Sequence, residues 1–173
     1  MKRINLLKTM FWFMLIFYLF LLITILFIRT GADYRSINLV PFATISEYIN
    51  VYDGIRTKRV DVNVWGNVLL FIPAGIYYML FAKNRSAMKV FCAILYISIS
   101  VEIIQFIFAI GASDIDDVIL NTAGGGLGIL FYSILHFLFK SQDDRVKRFI
   151  SALSMIVGVP LFFLTITLYY VNR

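Results

Sequence analysis

Residues 102–128 read EIIQFIFAIGASDIDDVILNTAGGGLG, and they join two long apolar runs through a short acidic loop. Glu102 and Gln105 sit inside the first run. Asp114, Asp116 and Asp117 fall within four residues of loop, and Asn121 with a cluster of glycines opens the second run. Neither run has the length or pattern of a strand, and each can cross a bilayer as a helix. An ionisable residue at membrane depth is costly, so its presence is by default a pointer to function. The fold read from this stretch is an all-α, polytopic membrane helix bundle with its unusual polar groups around one loop.

The remainder of the chain agrees. Of 173 residues, 61% are hydrophobic and 15% charged, and the mean hydropathy is +0.86. A soluble domain of this length could not hide so many apolar side chains. The net charge of +6 does not indicate nucleic acid, because the basic residues fall between hydrophobic runs and no run interleaves them with aromatics. The single cysteine, Cys92, lies within a hydrophobic run and excludes an internal disulfide or a cysteine-based zinc site.

Five runs are long enough to span a hydrocarbon core of roughly 30 Å, which takes about 20 helical residues. They cover about 9–28, 64–81, 90–110, 118–139 and 149–171, within a single membrane domain over 1–173. The first is longer than a signal-peptide core and no small-residue cleavage site follows it, so it reads as a retained anchor. Pro73 and Pro160 lie inside the second and fifth runs, where neighbouring helices can accommodate a bend.

Of the 16 basic residues, ten fall on the side of the N-terminus and six on the other, five of those in the loop 29–63. The positive-inside rule then predicts a cytoplasmic N-terminus and an external C-terminus in a bacterial cytoplasmic membrane. Within the long outer loop, Thr44-Ile-Ser-Glu47 fits a capping box. Ile45, Tyr48, Ile49 and Tyr52 repeat at helical spacing, and Asp53-Gly54 supplies a stop. A short amphipathic helix over about 45–52 is expected, with a mobile loop as the alternative.

This topology gathers Asn38, Asn67, Glu102, Gln105, Asp114, Asp116, Asp117 and Asn121 on the outer face as candidate ligand-binding residues. Ser98, Glu102 and Gln105 share one helix face, and Asp117, Asn121, Gly124 and Gly128 share another. Gly124-x-x-x-Gly128 is small-residue spacing, and packing between the third and fourth runs is expected there. Pro73 and Gly75 are further packing candidates. Plainer readings stand beside these. Asp114 can be an N-cap with Asp116 and Asp117 complementing the helix dipole; Glu102 and Gln105 can be interhelical glue. His136 lies toward the opposite face and reads as structural.

Four motifs in order carry a resemblance: Asn38-Leu-Val-Pro-Phe42, Asn67-Val-Leu-Leu-Phe-Ile-Pro-Ala-Gly75, Glu102-Ile-Ile-Gln105 and Asp114-Ile-Asp-Asp-Val-Ile-Leu-Asn-Thr-Ala-Gly124. Over roughly residues 35–130 the chain resembles the VanZ-like family of bacterial membrane proteins. The resemblance implies a small multi-pass protein whose founding relative is associated with resistance to teicoplanin, a lipoglycopeptide. It places family positions at Asn38, Pro41, Phe42, Asn67, Phe71, Pro73, Gly75, Glu102, Gln105, Asp114, Asp116, Asp117, Asn121 and Gly124. Some relatives carry an arginine just before the aspartates, where this chain has Gly111-Ala-Ser113. A cation needed there would come from elsewhere, such as Arg35 or Arg29.

Three functions fit these residues. The first is non-enzymatic binding of an amphiphile at the outer leaflet, either a lipoglycopeptide or a lipid-linked cell-wall precursor, with membrane lipids as surroundings. The second is a metal-assisted enzyme acting on a lipid or envelope headgroup, with Asp114, Asp116 and Asp117 as oxygen ligands for a divalent cation. The third is transport of a small amphiphile. The only histidine lies on the other side of the membrane and no nucleophile triad is possible, which favours binding over catalysis. The motifs imply no cofactor.

Overall fold

A computed structural model describes residues 6–27, 35–49, 62–82 and 86–171. In chain order they form α1 (Leu6–Phe27), β1 (Arg35–Asn38), α2 (Ala43–Ile49), α3 (Val62–Phe81), α4 (Ala87–Phe108), β2 (Gly111–Asp114), α5 (Ile115–Leu138) and α6 (Asp143–Val171). The helices α1, α3, α4, α5 and α6 are long and apolar enough to cross a membrane. The chain divides into two compact units, Phe27–Ile134 and Met1–Leu26 with Leu135–Arg173.

In the first unit, glycines set how closely the helices approach. A Cβ on Gly124 would lie 2.2 Å from the Val68 carbonyl oxygen, one on Gly128 2.1 Å from that of Ile72, and one on Gly75 2.2 Å from that of Gly125. Backbone of α3 therefore lies directly on backbone of α5, the geometry that small residues permit. The Gly124/Gly128 groove receives α3, not α4 as the short connecting loop suggested. It is Gly125 that faces α4, against the side chain of Ile94. Phe71, Val90, Ile94 and Tyr132, each 1% exposed, form the apolar core. Pro73 lies inside α3, which continues through it.

Helix α4 explains why the polar groups end where they do. Its buried stripe runs Val90, Ile94, Ser98, Val101, Glu102, Gln105, at helical spacing, and turns from apolar to polar toward the C-terminal end. Ser86 caps its start by accepting from the Lys89 amide. Its end is closed by Ala109 in the left-handed region, φ 55°, a position that usually takes glycine. The chain then turns into β2.

The sequence reading had no strands, and the structure adds a short pair to an otherwise helical protein. β1 and β2 pair in parallel, in register from Arg35 opposite Gly111 to Asn38 opposite Asp114. Residue 43 opens α2, two residues earlier than expected. Thr44 thus lies inside the helix rather than at its cap, and its hydroxyl donates to Asp114 at 2.6 Å. The capping box is not formed around Thr44. The remainder of the expected 45–52 helix beyond Ile49, with the Asp53-Gly54 stop, falls outside the described residues.

The second unit holds α1 and α6 together with aromatic side chains. Phe162 meets Phe13 and Phe17 edge-on at 5.5 Å and 5.1 Å, and Gly158 lies against Met14. α6 starts at Asp143, six residues before the apolar run. His136 sits 3.3 Å from Asp143 across the turn that joins α5 to α6.

Candidate functional site

The polar end of the larger unit is built around Asp114. It stands at the N-cap position of α5, and its Oδ1 accepts from the Asp116 amide at 2.9 Å, as a capping carboxylate should. The same oxygen accepts from Asn38 Nδ2 at 3.2 Å, and Oδ2 accepts from Thr44. Its own amide donates to Glu102 Oε2 at 2.9 Å. Asp114 therefore ties β1, α2, α4 and α5 together. Asn38 completes the knot by donating to Thr44 Oγ1 at 3.2 Å and accepting from the Val40 amide at 3.1 Å.

Asp116 is fully buried, and its role differs from dipole complementation of its own helix. Its carboxylate reaches across to α2 and accepts from the amides of Phe42 at 2.5 Å and Ile45 at 3.1 Å. Phe42 occupies the N-cap position of α2 but has no side-chain acceptor, and its φ is 63°. Asp116 supplies from 74 residues away what a local serine or aspartate would normally supply.

Asp117 makes a separate link. Its Oδ1 accepts from Asn67 Nδ2 at 2.6 Å, joining the first turn of α5 to the second turn of α3. One turn further along α5, Asn121 Nδ2 donates to Ser98 Oγ at 3.1 Å inside the bundle. Gln105 is buried on the same stripe of α4. Among the described residues, Asn121 Oδ1 and Thr122 Oγ1 are buried and have no hydrogen-bond partner. Both residues are at most 7% exposed.

The structure thus brings Asn38, Glu102, Asp114 and Asp116 into one network, pairs Asn67 with Asp117, sets Asn121 deeper in the same end, and places Gln105 nearer the end of α4 than Glu102. The aspartates do not converge as cation ligands: the oxygens of Asp114 and Asp116 face N–H and O–H donors. Among the described residues no group of three or more His, Cys, Asp or Glu side chains is placed to hold a metal ion. Two participants escaped the sequence reading. Thr44 belongs to the Asp114 network, and Thr122 carries a buried free acceptor beside Asn121; a hydroxyl adjoining an amide inside an apolar run was the available signal.

A family profile described as VanZ/LLP1 matches residues 10–136, which include every residue of this end of the bundle. Protein VanZ of Enterococcus faecium is 36% identical over 124 residues, covering 71% of this chain and 69% of that protein. No solved structure matches the chain.

Proposed function

This chain belongs to the VanZ/LLP1 family, and from that membership we propose that it binds an amphiphile in the outer leaflet of a bacterial cell membrane and contributes to teicoplanin-type resistance. It is a VanZ-like membrane protein with five candidate spans. In the proposed orientation the N-terminus is cytoplasmic and the polar end of the bundle faces outward. The ligand is a lipoglycopeptide or a lipid-linked envelope precursor, with its polar head toward α4 and α5 and its chain against the apolar helix surface.

The observation that carries this reading is the pair of buried, unpartnered oxygens on Asn121 and Thr122. A buried polar atom without a partner is destabilising by about 1–3 kcal/mol. Retaining two of them at consecutive positions of α5, one turn beyond Asp117, suits a site completed by donors from a ligand. The carboxylates around Asp114 have a different task, since their oxygens already hold the β1–α2 segment.

The test is teicoplanin susceptibility in a sensitive bacterial host expressing the chain, with membrane abundance measured alongside. Thr122→Val keeps shape and removes one oxygen; Asn121→Leu removes the other. Loss of resistance at normal abundance is expected for both. Full resistance in both variants would overturn the reading.

A further inference from the structure

The β1–α2 segment is built inside out relative to an ordinary surface loop. Several of its backbone amides are satisfied by protein: those of Phe42 and Ile45 donate to the buried Asp116, that of Val40 to Asn38, and those of Ala43 and Ser46 to the carbonyls of Val40 and Phe42, while the side chains of Ser36 and Ser46 stay exposed. Its large apolar side chains turn outward. Ile37, Leu39, Val40 and Phe42 are 55–73% exposed. Phe42 keeps its ring outside while its backbone holds a left-handed conformation that bulky residues rarely adopt.

The level of this segment is fixed by Glu102. That residue lies six positions before the end of α4 at Phe108, about 9 Å along the axis at 1.5 Å per residue. Side chains on a helix lean toward its N-terminus, so the Asp114 amide bonded to Glu102 sits no higher than the last two turns of α4. Asp114 is in register with Asn38 of β1. The paired strands therefore lie beside the end of the span and not above it. On α4 at this level Ile103, Ile104, Ile107 and Phe108 are also exposed, so apolar side chains of both the helix and the loop are presented at the same level of the span.

Irregular backbone at membrane depth is tolerated only where protein satisfies its polar groups. That requirement accounts for Asp116: a fully buried carboxylate spent on two amides of a distant loop. We propose that residues 37–42 form a re-entrant knob immersed in the bilayer at the boundary of headgroups and acyl chains. Leu39, Val40 and Phe42 contact lipid there, and Asp116 acts as the positioning residue that allows the backbone to enter. This inference concerns the lipid surface and does not depend on the identity or existence of an amphiphilic ligand.

The experiment uses the full chain reconstituted in phosphatidylcholine–phosphatidylglycerol vesicles. Trp12→Phe and Trp65→Phe remove the native indoles, and Phe42→Trp supplies a single reporter. Lipids brominated near the headgroup end of the acyl chain should remove most of its emission, lipids brominated near the chain terminus less, and iodide present on both sides little. Leu39→Trp, at the most exposed of these positions, repeats the test independently should the first variant fail to reconstitute. Adding Asp116→Asn should shift the reporter from bromolipid quenching toward iodide quenching. Iodide quenching without bromolipid quenching in the parent reporter would place the knob in water and overturn the proposal. Quenching by neither would mean that protein, such as a second copy of the chain, covers it, and would overturn it equally. Unchanged bromolipid quenching with Asp116→Asn would remove Asp116 from the positioning role.

Discussion

Oδ1 of Asp116 receives the backbone N–H of Phe42 at 2.5 Å, from the first turn of α5 to the start of α2. The bond joins two of the four motifs read from the sequence and gives each a physical reason. Phe42 starts a helix that it cannot cap, and Asp116 caps a helix that is not its own. The acid is therefore structural in a specific sense: it holds one loop in one place.

Asp116→Ala should orphan the Phe42 and Ile45 amides together. Each buried donor left unpaired is destabilising by about 1–3 kcal/mol. The expected outcome is a lowered unfolding temperature in detergent and faster proteolysis within residues 35–49. Phe42→Gly, which relieves the left-handed backbone, should leave stability within about 1 kcal/mol, because relief of strain and added chain entropy nearly cancel. Equal protease resistance of Asp116→Ala and the parent would show that the cap is dispensable.

The glycines of α5 make a graded prediction. Gly124→Ala and Gly128→Ala drive a Cβ into the carbonyl oxygens of Val68 and Ile72, and backbone cannot yield as a side-chain tip can. Overpacking of this kind is destabilising by about 1–3 kcal/mol or more, so both should lower folded yield. Gly126→Ala meets only the Phe91 ring at an ordinary 3.5 Å and gains up to about 1 kcal/mol of helix propensity. It should be neutral or stabilising, as read by thermal unfolding in detergent.

Much of this arrangement was legible in the sequence because spans obey a length rule and polar residues at membrane depth are few. The family motifs fall on the elements that meet at one end. What was not legible depended on contacts distant in sequence. β1 and β2 are four residues each, with no alternation of apolar and polar side chains, and they pair across 76 residues. Thr44 and Glu47 had the spacing of a capping box, but Asp114 takes the Thr44 hydroxyl and the helix starts earlier. Ala109 adopts the left-handed cap although a glycine stands only two residues on. The glycine groove was visible, yet spacing alone could not say that α3 fills it.

Orientation has its own measurement. In a Cys92→Ala background, Ser46→Cys on α2 should be labelled in intact cells by a membrane-impermeant thiol reagent. Gln142→Cys, in the turn before α6, should react only after permeabilisation. Both positions are exposed on the protein surface, and labelling of Ser46→Cys further requires that α2 stand on the aqueous side of the lipid-immersed residues 37–42. Labelling of Gln142→Cys with protection of Ser46→Cys would place the polar end of the bundle in the cytoplasm and remove the outer-leaflet reading.

Two carboxylates remain whose charge can be separated from their structural bonds. Asp117 accepts from Asn67 Nδ2, and an asparagine at 117 still offers an oxygen for that bond. Glu102 accepts from the Asp114 amide, and a glutamine at 102 can do the same. Asp117→Asn and Glu102→Gln should therefore change stability by no more than about 1 kcal/mol, since an amide–amide bond replaces a charge-assisted one. Asp116→Asn is different, because both oxygens of Asp116 serve backbone amides and one would become a donor facing a donor. If Glu102 and Asp117 hold the head of an amphiphile, the first two variants should accumulate normally and lose teicoplanin resistance. Asp116→Asn should lose abundance as well. Full resistance in Asp117→Asn and Glu102→Gln would assign both acids to helix packing alone. Were Thr122→Val and Asn121→Leu equally silent, the polar end of α4 and α5 would not be the ligand site.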